Sequence, residues 1–97
     1  MSKFDQAKML MKVKKMQKEL QKQVITVSSG DDAVKVEITG EQKIKRIYID
    51  AERVDLNDIR TTEKYVEEAV KQAISQSQKI AAEKMQPMMG MLGNLGL

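Results

Sequence analysis

The stretch at 34–50, VKVEITGEQKIKRIYID, constrains the fold more than any other part of the chain. In its first half Val34, Val36 and Ile38 alternate with polar residues, and a period of two places them on one face of a strand. Its second half, 44–50, is rich in isoleucine and suits a half-buried pleated surface. A polar turn separates the halves, so the sequence predicts a β-hairpin with one apolar face.

Two details of this hairpin concern its turn and its second strand. Gly40 stands in the turn, where a glycine can supply a positive φ angle. Ile44 does not share parity with Ile47 and Ile49. Either Ile44 faces the opposite side of the sheet, or a β-bulge intervenes near Lys45–Arg46.

A helix is predicted before the hairpin, over 2–23, because no Gly or Pro interrupts a run of good helix formers. Ser2 and Asp5 resemble a capping box. Four apolar residues fall in one narrow arc at helical spacing and predict a packing stripe: Met9, Val13, Met16 and Leu20. Phe4 and Met11 lie among the lysines instead, as scattered surface residues or as a contact with a partner subunit or ligand.

The remaining segments complete an α-β-β-β-α order. The β-branched run at 24–29 predicts a first strand, so the sheet is a three-stranded antiparallel meander. A polar connection leads to a second long helix, with Thr61 or Thr62 as its N-cap and Pro87 as its end. We therefore predict an α+β fold in which two long helices flank the sheet.

A second copy of the chain is expected to complete the apolar core. The 97 residues include only three aromatic side chains, so the core is thin and aliphatic. Two-fold dimers are the commonest closed assembly. We assign the dimer interface to one face of the second helix: Val66, Val70, Ala73, Ile74, Ser77 and Ile80.

The chain divides into a domain at 1–87 and a tail at 88–97. The tail, MMGMLGNLGL, combines flexible glycines with methionine and leucine. It is interpreted as a loosely ordered terminus, and the alternative is an adaptable, Met-rich contact surface for another protein.

Composition argues against an enzyme. The chain has no histidine and no cysteine, which removes the usual general base, thiolate ligands and disulfides. Its acidic residues lack the spacing of a calcium loop. We expect no catalytic residue, no metal and no cofactor. No secretory signal or membrane-spanning run is recognised, so we expect a cytoplasmic protein without a membrane partner.

Positive charge is concentrated in the first segment. Residues 1–23 carry seven lysines against two acidic residues, whereas 24–50 and 51–97 each have a net charge of −1. A basic helix of this kind is a solvated face, a nucleic-acid contact, or a contact with an anionic membrane or an acidic protein. Fourteen lysines against three arginines favour phosphate contacts with weak sequence preference.

The sequence resembles the YbaB/EbfC family of nucleoid-associated DNA-binding proteins over essentially its whole length. The resemblance rests on the basic helix MLMKVKKMQKELQKQ, the hairpin VKVEITGEQKIKRIYID, the helix EEAVKQAISQSQKIAAEKM and the Gly/Met/Leu tail. It implies a bacterial, non-enzymatic homodimer of the cytoplasm and nucleoid whose projecting helices grip double-stranded DNA and influence gene expression. The matching DNA-binding positions are Lys3, Lys8, Lys12, Lys14, Lys15, Lys18 and Lys22, with Lys79 and Lys84 as secondary candidates.

Two functions are therefore carried forward from the sequence. The first is a homodimeric protein that binds duplex DNA through lysine–phosphate contacts. The second is a protein-interaction or chaperone-like module that uses the apolar tail and the helix stripes.

Overall fold

The computed structural model describes the backbone of residues 2–94 and the side chains of residues 2–87. Its elements are α1 (Lys3–Lys22), β1 (Val24–Ser29), β2 (Val34–Thr39), β3 (Ile44–Ile49) and α2 (Ile59–Asn94). This order confirms the predicted α-β-β-β-α fold. The molecule measures 64 × 20 × 15 Å, with a radius of gyration of 18.6 Å. A compact chain of this length has about 12.5 Å, so part of the molecule projects from its core.

Helix α1 begins where its predicted cap lies. Ser2 has an extended backbone, and its Oγ accepts a hydrogen bond from the Asp5 N–H at 3.2 Å. The same hydroxyl donates to Asp5 Oδ2 at 2.9 Å. Asp5 also lies in the first turn, where a negative charge complements the helix dipole.

The sheet is antiparallel in the order β1-β2-β3. The register shifts between Glu37 and Ile38, so that Ile38 pairs with Ile44 while Glu37 pairs with Arg46. The extra residue, Lys45, forms a β-bulge. Of the two alternatives left by the sequence, the bulge is therefore the one observed, and Ile44 lies on the same face of the sheet as Ile47 and Ile49.

Helix α2 covers this apolar face over β1 and β2. The sheet contributes Ile25, Val27, Val34, Val36 and Ile38 to the core, and the helix contributes the small side chains of Ala69 and Ala73. Small residues at the contact let the helix axis approach the sheet closely. The core is aliphatic and thin, as the composition predicts.

The N-cap of α2, predicted at Thr61 or Thr62, is wrong by three or four residues. The helix begins at Ile59, and Asp58 caps it by accepting from the Thr61 N–H at 3.3 Å and from Thr61 Oγ1 at 2.6 Å. Thr62 is buried instead. Each of the two Asp58 carboxylate oxygens accepts one hydrogen bond from Thr61, so the aspartate takes the cap position.

The predicted end of α2 at Pro87 is also wrong, because the helix continues to Asn94. A proline inside a helix removes one hydrogen bond and crowds the carbonyl four residues earlier. That carbonyl belongs to Glu83, which is exposed, so water can satisfy it. The flexible tail predicted at 88–97 thus starts inside a helical backbone, and its side chains and residues 95–97 lie outside the described part of the chain.

Gly40 does not have the positive φ angle predicted for it; Gln42 has one, at 67°. Gly40 is needed for close approach, since a Cβ there would lie 2.9 Å from the Leu20 carbonyl oxygen. The other turn shows the left-handed backbone clearly. Gly30, Asp31 and Asp32 have φ angles of 63°, 58° and 68°.

Candidate nucleic-acid interface

Helix α1 and the part of α2 from residue 77 to residue 94 form a two-helix arm. Their shared cluster consists of Met16 and Leu20, with Met9 and Val13 from α1 and Ile80 and Ala81 from α2 packed around them. The four α1 residues are the stripe predicted from the sequence. The arm accounts for the elongated shape, because a helix of 20 residues is about 30 Å long.

The base of the arm is fixed at the end of β2. The Gly40 N–H donates to the carbonyls of Leu20 at 2.9 Å and Gln23 at 3.1 Å, which holds the last turn of α1. Ser77 Oγ donates to the Thr39 carbonyl at 2.7 Å and is fully buried, which holds α2. Thr39, the last residue of β2, and Gly40, which follows it, therefore anchor both helices.

All nine lysines that the family resemblance points to are exposed in the structure. Seven of them lie on α1: Lys3, Lys8, Lys12, Lys14, Lys15, Lys18 and Lys22. The two acidic residues of α1 have partners close by, since Asp5 bonds to the cap Ser2 and Glu19 pairs with Lys84 at 3.4 Å. The helix therefore presents a positively charged surface to solvent.

The two α2 lysines differ in their surroundings. The Lys84 ammonium is held by Glu19 across the arm, at the same 3.4 Å. Lys79 is exposed on the neighbouring turn. Earlier along the helix, Lys71 pairs with Glu67 at 2.8 Å, as the spacing predicts, which raises the pKa of the ammonium and lowers that of the carboxyl. The positive potential of the arm thus comes mainly from α1.

Phe4 and Met11 are the most exposed large apolar side chains of α1, at 68% and 71%. They lie opposite the packing stripe. The Lys8 ammonium lies 4.8 Å from the centre of the Phe4 ring, a cation–π contact. Both interpretations made from the sequence are compatible with this exposure. Phe4 and Met11 are either scattered surface residues or a contact with a partner subunit or ligand.

The residues assigned to a dimer interface occupy two environments. Ala73 and Ser77 are fully buried against the sheet of the same chain. The larger members are partly exposed beside that contact: Val66, Val70, Ile74 and Ile80. Since Ser29 Oγ donates to Glu68 at 2.8 Å, Glu68 marks the β1 side of α2. At about 100° per residue, Val70 and Ile74 lie on the other side of the helix from Glu68, and both pack against the core cluster.

Strand β3 carries an apolar row that α2 does not cover. Ile44, Ile47 and Ile49 are 44%, 42% and 52% exposed, although they share a face with the buried residues of β2. The sequence predicts that a second copy of the chain completes the apolar core, but it does not indicate which surface stays exposed in a single chain. The alternation of residues reveals the face, but it does not tell which strand a single helix leaves bare.

The polar face of the sheet has charged groups of both signs. Arg46 lies 4.2 Å from the centre of the Tyr48 ring, and the Tyr48 hydroxyl donates to Glu37 at 3.3 Å. Within residues 2–87, no group of three His, Cys, Asp or Glu side chains could hold a metal ion. In the described part of the chain, no helix is long and apolar enough to span a membrane.

The fold and this surface define a small α+β binding protein with a basic helical arm. The sequence model of the YbaB/EbfC DNA-binding family matches residues 1–92, and the chain belongs to that family. The family is non-enzymatic. Both statements confirm predictions made from the residues.

Similar proteins agree with this assignment. A nucleoid-associated protein of Ruminiclostridium cellulolyticum is 33% identical over 88 residues, covering 91% of this chain and 76% of that protein. One from Chloroflexus aggregans is 31% identical over 83 residues, covering 86% and 83%. The crystal structure of an uncharacterized protein from Helicobacter pylori superposes with a TM-score of 0.74 at 17% identity, covering 89% of this chain and 87% of that one. That last likeness concerns the fold alone.

Proposed function

We propose that this protein is a nucleoid-associated protein that binds duplex DNA as a homodimer, through contacts between the α1 lysines and phosphates. Family membership and the names of its relatives support DNA binding and a location at the nucleoid. The observation that carries the proposal is the arm itself. Seven exposed lysines project on a helix whose two acidic residues already have partners.

Lysine ammonium groups act as point charges towards phosphate and release its counterions on binding. Each phosphate contact contributes about 0.9 to the slope of log K against log salt. An arm that offers several such contacts gives tight binding at low salt and a steep loss of affinity as salt rises. Sequence preference from these contacts is weak, because phosphates are the same at every base pair.

The test is a salt-titrated binding assay with a fluorescent duplex. Lys8, Lys15 and Lys22 are replaced together by Gln, which we expect to lower affinity and reduce the salt slope by about 2.7 for each arm of the dimer that contacts DNA. The matched control replaces three exposed lysines away from the arm, Lys35, Lys43 and Lys64, and so removes the same charge. Equal losses in both triple variants would show that net charge, and not the arm, binds DNA.

The homodimer is supported by the bare apolar row of β3. Ile44, Ile47 and Ile49 form an exposed strip on an edge strand. An exposed strip of this kind on an edge strand promotes association. A second copy that covers this strip joins two sheets and places two arms on one assembly.

This interface is tested by sedimentation equilibrium of Ile47→Glu, which places a charge in the centre of the strip. We expect the dimer to dissociate into monomers. Thr26→Glu is the control, because Thr26 is exposed on the polar face of the same sheet. A dimer that persists in Ile47→Glu at the wild-type association constant would exclude this strip as the interface.

The alternative function, protein interaction through the tail, is separated from DNA binding by one deletion. Removing residues 88–97 should leave the α1 lysines and the salt slope unchanged. Loss of a protein partner together with unchanged DNA binding would assign the tail a role of its own.

A further inference from the structure

The lysine surface of α1 has an apolar centre that phosphate binding does not explain. At about 100° per residue, Phe4 and Met11 point in nearly the same direction, away from the packing stripe. Lys8 and Lys15 fall to one side of them, and Lys14 and Lys18 to the other. Two large apolar side chains are thus exposed between two rows of positive charge.

The dimensions of this surface fit the major groove of B-form DNA. The groove is about 12 Å wide and admits an α-helix, whereas the minor groove, about 6 Å wide, does not. Seven residues of helix separate Phe4 from Met11 along the axis by about 10.5 Å, close to three base-pair steps of about 3.4 Å each. With the apolar pair facing the groove floor, the flanking lysines face the phosphates of its two walls.

An apolar side chain on the floor of the major groove has one apolar partner, the 5-methyl group of thymine. We propose that α1 lies in the major groove and that Phe4 and Met11 contact 5-methyl groups of pyrimidines. The protein then discriminates methylated from unmethylated pyrimidines without a hydrogen bond to a base. This inference rests on the proposed DNA binding and adds the groove and the chemical group that is read.

The surroundings of the pair favour DNA over a lipid surface. Met11 lies with Lys8, Lys12 and Lys15 around an open concavity of about 450 Å³. A membrane-bound helix needs a wide apolar face with several bulky anchors. Here the apolar strip consists of two side chains, Phe4 and Met11, which follow each other along the helix axis. Lysines border the strip on both sides, as contacts with the phosphates on the two sides of a groove require.

The test compares duplexes of one sequence that contain thymine or deoxyuridine, which lacks only the methyl group. We expect affinity to fall about fourfold for each bound methyl group that deoxyuridine removes, from the transfer of one apolar carbon. Replacing cytosine by 5-methylcytosine should raise affinity by a similar factor. Phe4→Ala and Met11→Ala should remove the difference between thymine and deoxyuridine and leave the salt slope unchanged.

Leu10→Ala is the matched control, because Leu10 is exposed on the same helix but lies away from the strip. Alanine is the best helix former, so all three variants should keep α1 folded, as circular dichroism checks. The control should still distinguish thymine from deoxyuridine.

Three results would overturn the inference. Equal wild-type affinity for the thymine and deoxyuridine duplexes, with the salt slope retained, removes methyl recognition and leaves the proposed function intact. Absence of salt-dependent DNA binding removes both. Binding of the wild type to phosphatidylserine–phosphatidylcholine vesicles that Phe4→Ala and Met11→Ala abolish, with equal affinity for the two duplexes, would assign the strip to a membrane.

Discussion

Gly40 connects the sheet to the arm, and Gly40→Ala tests that connection. A methyl group at this position would lie 2.8 Å from Leu20 Cδ2, 2.9 Å from the Leu20 carbonyl oxygen and 3.1 Å from Leu20 Cα. Two of these three atoms belong to the main chain of α1 and cannot rotate away. The last turn of α1 must therefore move away from the sheet.

The cost of this movement follows from three effects. Overpacking costs about 1–3 kcal/mol. Lengthening the bonds from the Gly40 N–H to Leu20 and Gln23 costs about 1 kcal/mol more. The gain is about 0.4–1 kcal/mol, because alanine restricts the unfolded chain and Gly40 does not need a positive φ angle. We expect a net loss of about 2 kcal/mol in the free energy of unfolding.

Urea denaturation at one fixed protein concentration measures this loss as a lower midpoint at an unchanged m-value. The midpoint of thermal unfolding, Tm, should fall by about 8–16 °C for a chain of this size. Lys43→Ala in the same turn is the control; its side chain is exposed and pairs with Glu41. A surface change of this kind should stay within about 0.5 kcal/mol.

A second variant separates the main-chain clash from the side-chain clash. Leu20→Ala removes the Cδ2 contact but leaves the carbonyl oxygen and Cα in place. Gly40→Ala should therefore remain destabilising in the Leu20→Ala background. Wild-type stability of Gly40→Ala, or full relief in the double variant, would refute close approach as the reason for this glycine.

The remaining predictions concern the turn, the core and the cap of α2. Gly30→Ala should destabilise by more than Gly40→Ala, because the φ angle there is 63° and a Cβ would overlap the Tyr65 ring; urea midpoints compare the two. Ser77→Ala should cost about 1 kcal/mol by the same assay, since it removes a single buried hydrogen bond. Hydrogen bonds from the side chain and then the backbone N–H of Thr61 lower the pKa of Asp58 below its usual value. The contribution of this cap to the free energy of unfolding is therefore present above the unfolded-state pKa of Asp58, and it is lost as pH falls through the lower folded-state pKa. NMR titration of Asp58 in the wild type and in Thr61→Val compares the pKa with and without the Thr61 hydroxyl.

The elements could be predicted from the sequence because each has a clear period. Alternation at Val34, Val36 and Ile38 specified a strand, and the spacing of Met9, Val13, Met16 and Leu20 specified a helix face. Both became buried faces in the structure. The charge segregation likewise identified the helix that carries the candidate site.

The errors arose where a local signal has two physical outcomes. Asp58 and Thr61 are both good caps, and only the geometry of the loop decides which side chain reaches the free N–H groups. Pro87 lowers the stability of a helix, but it stops the helix only when the remaining hydrogen bonds do not compensate. At Ile44 the sequence leaves a bulge and a reversed side chain as open alternatives, and the pairing with β2 shows that the bulge forms.

The way the arm is anchored to the sheet could not be predicted from the sequence pattern of any single segment. It depends on Gly40 meeting the end of α1 and on Ser77 meeting Thr39, and these contacts join parts of the chain that are distant in sequence. One consequence links stability to function. The lysines lie on a helix whose link to the sheet is confined to its last turns, so the direction of the whole basic surface depends on one strand end. A small displacement at Gly40 would be magnified along a helix about 30 Å long, and Phe4, at the far end, would move the most.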